Sequence, residues 1–274
     1  MESVNRISGM FLRYLYLHKR SLPRTFEIVF WPVMELLVWG FVAVYIQAMS
    51  KDTRLPDGQA LSKIAVSLIN AMIFWDILYR SQQGVSISFI EDIWTQNIVN
   101  LLISPLRIWE WIFATFVYGF LKTLMITLIL TVIAFSLYHF DLVSNLHLYL
   151  IPLVFNLLLF GWALGIFTSS LVIRWGHAAE ALIWGVPFLI QPISAIFYPL
   201  SVLPPWLQVI SRILPSTYVF EGMRAVIQTR ELPMEYMVTA LLLNLVYFVL
   251  GGLFFNWMYK QARISGRLGR LGMD

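Results

Sequence analysis

Residues 191–228 read Q-P-I-S-A-I-F-Y-P-L-S-V-L-P-P-W-L-Q-V-I-S-R-I-L-P-S-T-Y-V-F-E-G-M-R-A-V-I-Q, and they decide what kind of fold this is. The stretch begins as the end of an apolar helix. Pro199, Pro204, Pro205 and Pro215 then each remove a backbone donor and block helix continuation. Pro205 suits a first helical position, and Trp206, Leu207, Val209, Ile210 and Ile213 put an apolar face on about two turns. Ser216 can cap a second piece, in which Glu221 and Arg224 share a face three residues apart. The segment is too apolar for a soluble loop and too broken for a membrane span. Irregular backbone survives at membrane depth only where protein or a water-filled cavity surrounds it. Two readings follow: a pair of half-inserted helices over 201–230 at one mouth of a pathway, or a surface amphipathic hairpin.

Composition sets the solvent. Of 274 residues, 59% are hydrophobic and 12% are charged, whereas a soluble domain runs near a quarter charged. Too few polar groups exist to cover a globular surface, so lipid must do it. The length suits one membrane domain, 1–274, with about six spans of roughly 20 residues each. The net charge of +4 is no nucleic-acid signal, because the basic residues sit at span ends. Without cysteine there are no disulfides, thiolate metal sites or cysteine nucleophiles. The first apolar run starts near residue 26, is span-length and lacks a small-residue exit, so no cleavable signal is expected.

Residues 1–25 are expected to hold an interfacial helix, with Ile7, Met10, Phe11, Tyr14 and Leu17 at helical spacing among basic residues. Spans are expected near 26–49, 61–82, 108–136, 148–173, 181–199 and 237–258, with kinks at Pro187 and Pro192 in the fifth. A polar connection fills 50–60. Residues 83–89 are small and polar, and 90–104 read as a second amphipathic helix that Pro105 ends. Ile90, Trp94, Ile98, Leu101 and Leu102 give it an apolar face, Glu91 and Asp92 favour its N-terminus, and Gln96, Asn97 and Asn100 face away. Lysines and arginines place both termini in the cytoplasm, at twelve cations against six, with Lys122 left within the membrane.

F-Y-P-L-S-V-L-P-P-W-L-Q at 197–208, L-P-S-T-Y at 214–218 and E-G-M-R at 221–224 resemble the signature region of the type-2 ABC exporter permeases. N-L-L-I-S-P-L at 100–106 resembles that family's coupling segment, between spans two and three as the family requires. The resemblance implies an all-α polytopic membrane protein of six spans. It adds an N-terminal interfacial helix, a cytoplasmic coupling helix at 90–104, and two short re-entrant helices between spans five and six. It implies a transport subunit of the bacterial inner membrane that works as a dimer with a second copy of itself. Two separate ATPase subunits carry ATP and Mg²⁺. The cargo it implies is polysaccharide, glycolipid, lipid or drug. Glu91, Trp94, Asn97, Ile98, Leu101, Leu102, Ser104 and Pro105 are then expected at the ATPase joint. Tyr198, Pro199, Leu203, Pro204, Trp206, Pro215, Tyr218, Glu221 and Arg224 are expected at an external gate.

Ionisable and polar groups within spans are Glu35, Asn70, Asp76 and Lys122. Such groups are costly at depth and often functional. A buried Glu35–Lys122 pair is one possibility. The other is that Lys122 snorkels to a headgroup while Glu35 finds a hydroxyl or backbone partner. Glu221 and Arg224, if exposed, would be worth under about 1 kcal/mol. His18, His139, His147 and His177 show no metal-ligand spacing, so no metal is expected. No G-x-x-x-x-G-K-[ST] phosphate loop, H-E-x-x-H or G-x-S-x-G appears, so the chain is not expected to be an enzyme and any ATP must be bound elsewhere. A passive channel or small secondary carrier is the alternative; a membrane enzyme acting on lipids lacks its acid–base and metal groups.

Overall fold

The apolar runs fold as helices because lipid offers the backbone no partners, so each span must close its own hydrogen bonds. The computed structural model describes residues 2–19, 22–50 and 58–266. Among them run α1 (Glu2–Lys19), α2 (Leu22–Ser50), α3 (Gly58–Trp94), α4 (Ile98–Ile103), α5 (Ile108–Tyr138) and α6 (Leu142–Leu146). There follow α7 (Leu150–Trp175), α8 (Glu180–Ile190), α9 (Pro205–Ser211), α10 (Pro215–Thr229) and α11 (Met234–Ile264). No strand occurs among the described residues. The 51–57 part of the polar connection and the tail cations Arg267 and Arg270 lie outside them. The side chains of His18, Arg24 and Leu102 do so as well.

Among the described residues, five stretches are long and apolar enough to cross a membrane: Phe26–Met49, Leu61–Trp94, Ile108–Tyr138, Leu142–Ile190 and Met234–Ile264. The fourth contains expected span four and the first half of expected span five. α7 is a full-length helix, but α8 has 11 residues, about 16 Å at 1.5 Å per residue and half of a roughly 30 Å hydrocarbon core. Pro187 lies inside α8, whereas Pro192 stands two residues beyond its end. The expected 181–199 helix therefore stops at Ile190, and Pro192 terminates it instead of kinking it. Turns follow, with Ala195 held at φ 52°.

α3 and α7 form the buried centre, and α2, α5 and α11 pack around them. Phe41, Tyr45, Leu128, Val132, Val249 and Leu253 on the outer helices all stay exposed, as side chains facing lipid should. Glycine permits the close approach of α3 and α7. A Cβ at Gly161 would lie 2.7 Å from the Leu78 carbonyl, and one at Gly165 would lie 2.9 Å from the Gln82 carbonyl. Small residues four apart let helix backbones meet in this way. Across the contact, Gln82 Nε2 donates to Ser86 Oγ and Thr168 Oγ1, both at 3.1 Å, and to the Ile183 carbonyl at 3.2 Å. Ser86 and Thr168 share a 2.6 Å bond.

This network explains the largest departure from expectation. Residues 83–94 do not separate span two from a new helix; they continue α3, which has 37 residues in all. Ser86 and Ser88 return their hydroxyls to the Gln82 and Gly84 carbonyls, and α7 covers the rest. Polar side chains satisfied in this manner do not end a helix. The expected 90–104 helix is thus split. Gln96 takes a left-handed conformation (φ 53°), the Asn97 N–H reaches back to the Asp92 carbonyl at 2.9 Å, and only Ile98–Ile103 forms α4. That closure is a Schellman-type stop.

α1 packs its apolar stripe inward. Met10 and Tyr14 are buried, and Ile7, Phe11 and Leu17 pack beside them. The stripe faces the protein's own helices, chiefly α5.

Candidate functional site

At the α4 end of the bundle, charged groups knit α1 to α3 and α5. Arg6 clamps Glu110 with its Nε at 3.2 and 3.0 Å from the two carboxylate oxygens and Nη2 at 2.8 Å. Glu110 in turn accepts the Arg107 N–H at 2.9 Å, closing the start of α5. Asp92, fully buried, pairs with Arg13 and accepts the Tyr14 hydroxyl at 3.0 Å. Trp111 Nε1 donates to the same Tyr14 oxygen at 2.8 Å, and its ring stacks on Phe89. Burial, with Asp92 beside it, pushes the Tyr14 hydroxyl well above its ordinary range, so it stays a donor. Asp92→Ala strips Arg13 and Tyr14 of this partner, and bonds to charged groups are worth about 1.5–3 kcal/mol each. We expect limited proteolysis within residues 2–19 to quicken by roughly tenfold or more, with Tyr14→Phe showing a smaller rise. An unchanged rate would mean that α1 is held by its apolar stripe alone.

The expected ATPase-joint residues divide at the α3–α4 turn. Glu91 and Ile98 are buried, Asn97 and Leu101 are half-buried, and Pro105 is exposed. Trp94 is exposed and donates to Glu180 Oε2 at 3.3 Å. Asn97 receives the Asn100 amide, and Ser104 Oγ bonds the Leu101 carbonyl. Ile103, on the same short helix, is 78% exposed.

Above this end, α2, α3, α5 and α8 enclose a cleft of about 300 Å³. Its walls are Trp31, Tyr79, Trp94 and Trp184. Its charged lining is Glu27, Arg80, Glu91 and Lys122. At 1.5 Å per residue, Arg80 and Lys122 both lie about 20 Å along their helices from the α4 end. Arg80 is buried and bound to Asp76 one turn away, Nε to Oδ1 at 3.1 Å. It is therefore not a charge at a span end, although it is one of the twelve cations counted on the cytoplasmic side; without it eleven stand against six. Glu35 is half-buried beside Asp76 and Arg80, not paired with Lys122. Asn70 is buried and bonds its own helix at the Val66 carbonyl. The Asp76/Arg80 spacing was a readable signal of one shared helix face; Tyr79 and Trp184 carried none.

At the opposite end, the proline-broken segment is sewn together. Arg224, 7% exposed, donates Nη1 to the Ile196 carbonyl at 3.0 Å and Nη2 to the Ala195 carbonyl at 2.6 Å. Nη2 also meets Glu221 Oε1 at 2.7 Å, and that oxygen accepts the Leu200 N–H at 2.8 Å. The Glu221–Arg224 pair is thus no exposed surface bridge. Ser211 donates to the Ile193 carbonyl at 2.5 Å, and Ser216 meets Ser194 at 2.8 Å. Leu214, not Ser216, stands at the N-cap of α10, with Pro215 at its first position. Tyr198 bonds the Pro192 carbonyl, and Tyr218 bonds the Arg212 carbonyl. Leu203 is buried and receives the Gln208 amide on its carbonyl, whereas Pro199 and Pro204 are exposed. Trp206 and Val209 of α9, and Ile213 just beyond it, are exposed.

Long apolar helices around an interior that holds paired charges define a polytopic membrane protein. The family model of the ABC-2 type transporter matches residues 16–227, and the chain belongs to that family. It is accordingly an ABC-type permease subunit, and the family implies association with an ABC ATPase. No curated protein matches the chain.

Proposed function

We propose that this chain is the membrane subunit of an ATP-driven exporter for an amphiphilic cargo, with two copies forming the pathway and two ATPase subunits, which carry ATP and Mg²⁺, bound at the α4 end. Both termini and α4 face the cytoplasm of a bacterial inner membrane, in keeping with the excess of lysine and arginine at that end. The observation that carries the reading is the geometry of α4. A short helix with Ile103 bare to solvent hangs from the end of the most buried helix, next to the ion pairs that bind α1, α3 and α5. Force on α4 reaches α3 directly, and α3 lines the cleft. ATP-driven closure shifts the equilibrium between inward- and outward-facing states only by favouring contacts made in one of them. The α9–α10 unit would separate from its partner copy for release.

Ile103→Asp tests this. The residue is exposed, so the melting temperature of the isolated subunit should hold, while copurification of a co-expressed ABC ATPase falls at least about tenfold, as burial of an unpaired charge in an apolar joint requires. Undiminished copurification would place the ATPase elsewhere.

A further inference from the structure

The cleft between α2, α3, α5 and α8 has a chemical character of its own. Four aromatic rings line it, which suits a flat or bulky apolar body. Its charge then selects among amphiphiles. Arg80 and Lys122 suggest an anionic headgroup at first sight, but Arg80 is already bound, by Asp76 on one side and by the Gln83 side-chain oxygen at 3.4 Å on the other. Glu91 and Glu27 place two carboxylates on the same lining, Glu27 at the exposed rim. With Arg80 held by Asp76, these two lining carboxylates remain against Lys122. Among the described residues, Lys19 lines the neighbouring apolar groove formed with Phe11 and Leu15.

We infer that this cleft is a binding site for a hydrophobic cation, an aromatic or alkyl ammonium or phosphonium body, and that Glu27, Trp31 and Trp184 admit it. Aromatic faces attract desolvated cations through their quadrupole, and a carboxylate at the rim raises the local concentration of cationic cargo. The cleft spans the half of the bundle nearer α4 and stops near mid-height. A cargo partitioned into that leaflet enters it without crossing the membrane. The inference rests on the permease reading and narrows its cargo.

A matched pair of probes tests it. Tetraphenylphosphonium and tetraphenylborate have the same shape and apolar area and opposite charge. Each is titrated into the purified protein in phosphatidylcholine nanodiscs, with quenching of tryptophan fluorescence as readout and empty nanodiscs subtracted. Tetraphenylphosphonium should saturate the signal. Glu27→Lys should weaken it by roughly tenfold and strengthen tetraphenylborate, and Trp184→Ala should weaken the phosphonium by about fivefold. Glu27 is exposed, so Glu27→Lys should melt with the parent. Preference for tetraphenylborate in the parent, with loss of it in Lys122→Met, would overturn the inference in favour of an anionic headgroup. Absence of saturable binding by either probe, or binding indifferent to Glu27 and Trp184, would overturn it as well. None of these results touches the ATPase copurification, so failure of the cargo assignment is separable from failure of the permease reading.

Discussion

Arg224→Ala should cost this protein about 3 kcal/mol or more, read as a fall of roughly 10 °C in the melting temperature of the detergent-solubilised chain. The residue is buried and does three jobs with one guanidinium: it satisfies two carbonyls in a turn that cannot form helix, and it neutralises Glu221. Each orphaned carbonyl costs about 1–3 kcal/mol, and Glu221, still one-quarter exposed, retains some hydration. Arg224→Lys keeps the charge but loses the planar fork that reaches several acceptors together, so it should fall between parent and alanine. Replacing both partners, as Arg224→Met with Glu221→Leu, removes the stranded charge and should recover part of the loss. A single alanine variant melting within about 2 °C of the parent would show that the broken segment stands without its arginine.

The segment around Arg224 also shows how far the sequence could be read. Pro205 opens α9 as its position requires, Pro215 opens α10, and the outward apolar face of Trp206, Val209 and Ile213 follows from helical spacing. These are local rules, carried by residues that act on their own backbone. What stayed hidden depends on contacts between distant residues. The Arg224 fork lies on carbonyls 28 and 29 positions away. α3 continues through Gly84 and Ser86, small or polar as they are, because Gly84 meets Gly119 of α5 and Ser86 bonds Thr168 of α7. Likewise α1 turns its stripe toward α5 because Arg6, Arg13 and Tyr14 find Glu110 and Asp92, pairings that no spacing announces. At the candidate site, Asp76 and Lys122 were legible as charges at depth. The four-residue spacing of Asp76 and Arg80 made their pairing readable too, but the setting of Lys122 was not: it shares a cleft with tryptophans from other helices.

The second large effect is expected at Gly161. Gly161→Leu places a branched side chain where α3 and α7 touch, and the obstruction is not a side chain that can turn aside. A Cβ there meets Ser81, which can rotate its hydroxyl, but also the Leu78 carbonyl at 2.7 Å, which belongs to the helix itself. Overpacking typically costs about 1–3 kcal/mol where neighbours yield; here two central helices would have to separate along the contact that also holds Gln82, Ser86 and Thr168. The variant should lose most of its monodisperse fraction in size-exclusion chromatography, and Gly165→Leu should do the same against the Gln82 carbonyl. Gly252→Leu is the control: open space surrounds that position on α11, and losing glycine from a helix interior gains up to about 1 kcal/mol in propensity. Trimming Ser81 to alanine beside Gly161→Ala should not rescue the fold, because the carbonyl remains in place. Rescue by that trim would mean that the hydroxyl alone sets the approach, and that the backbones of α3 and α7 have room to part.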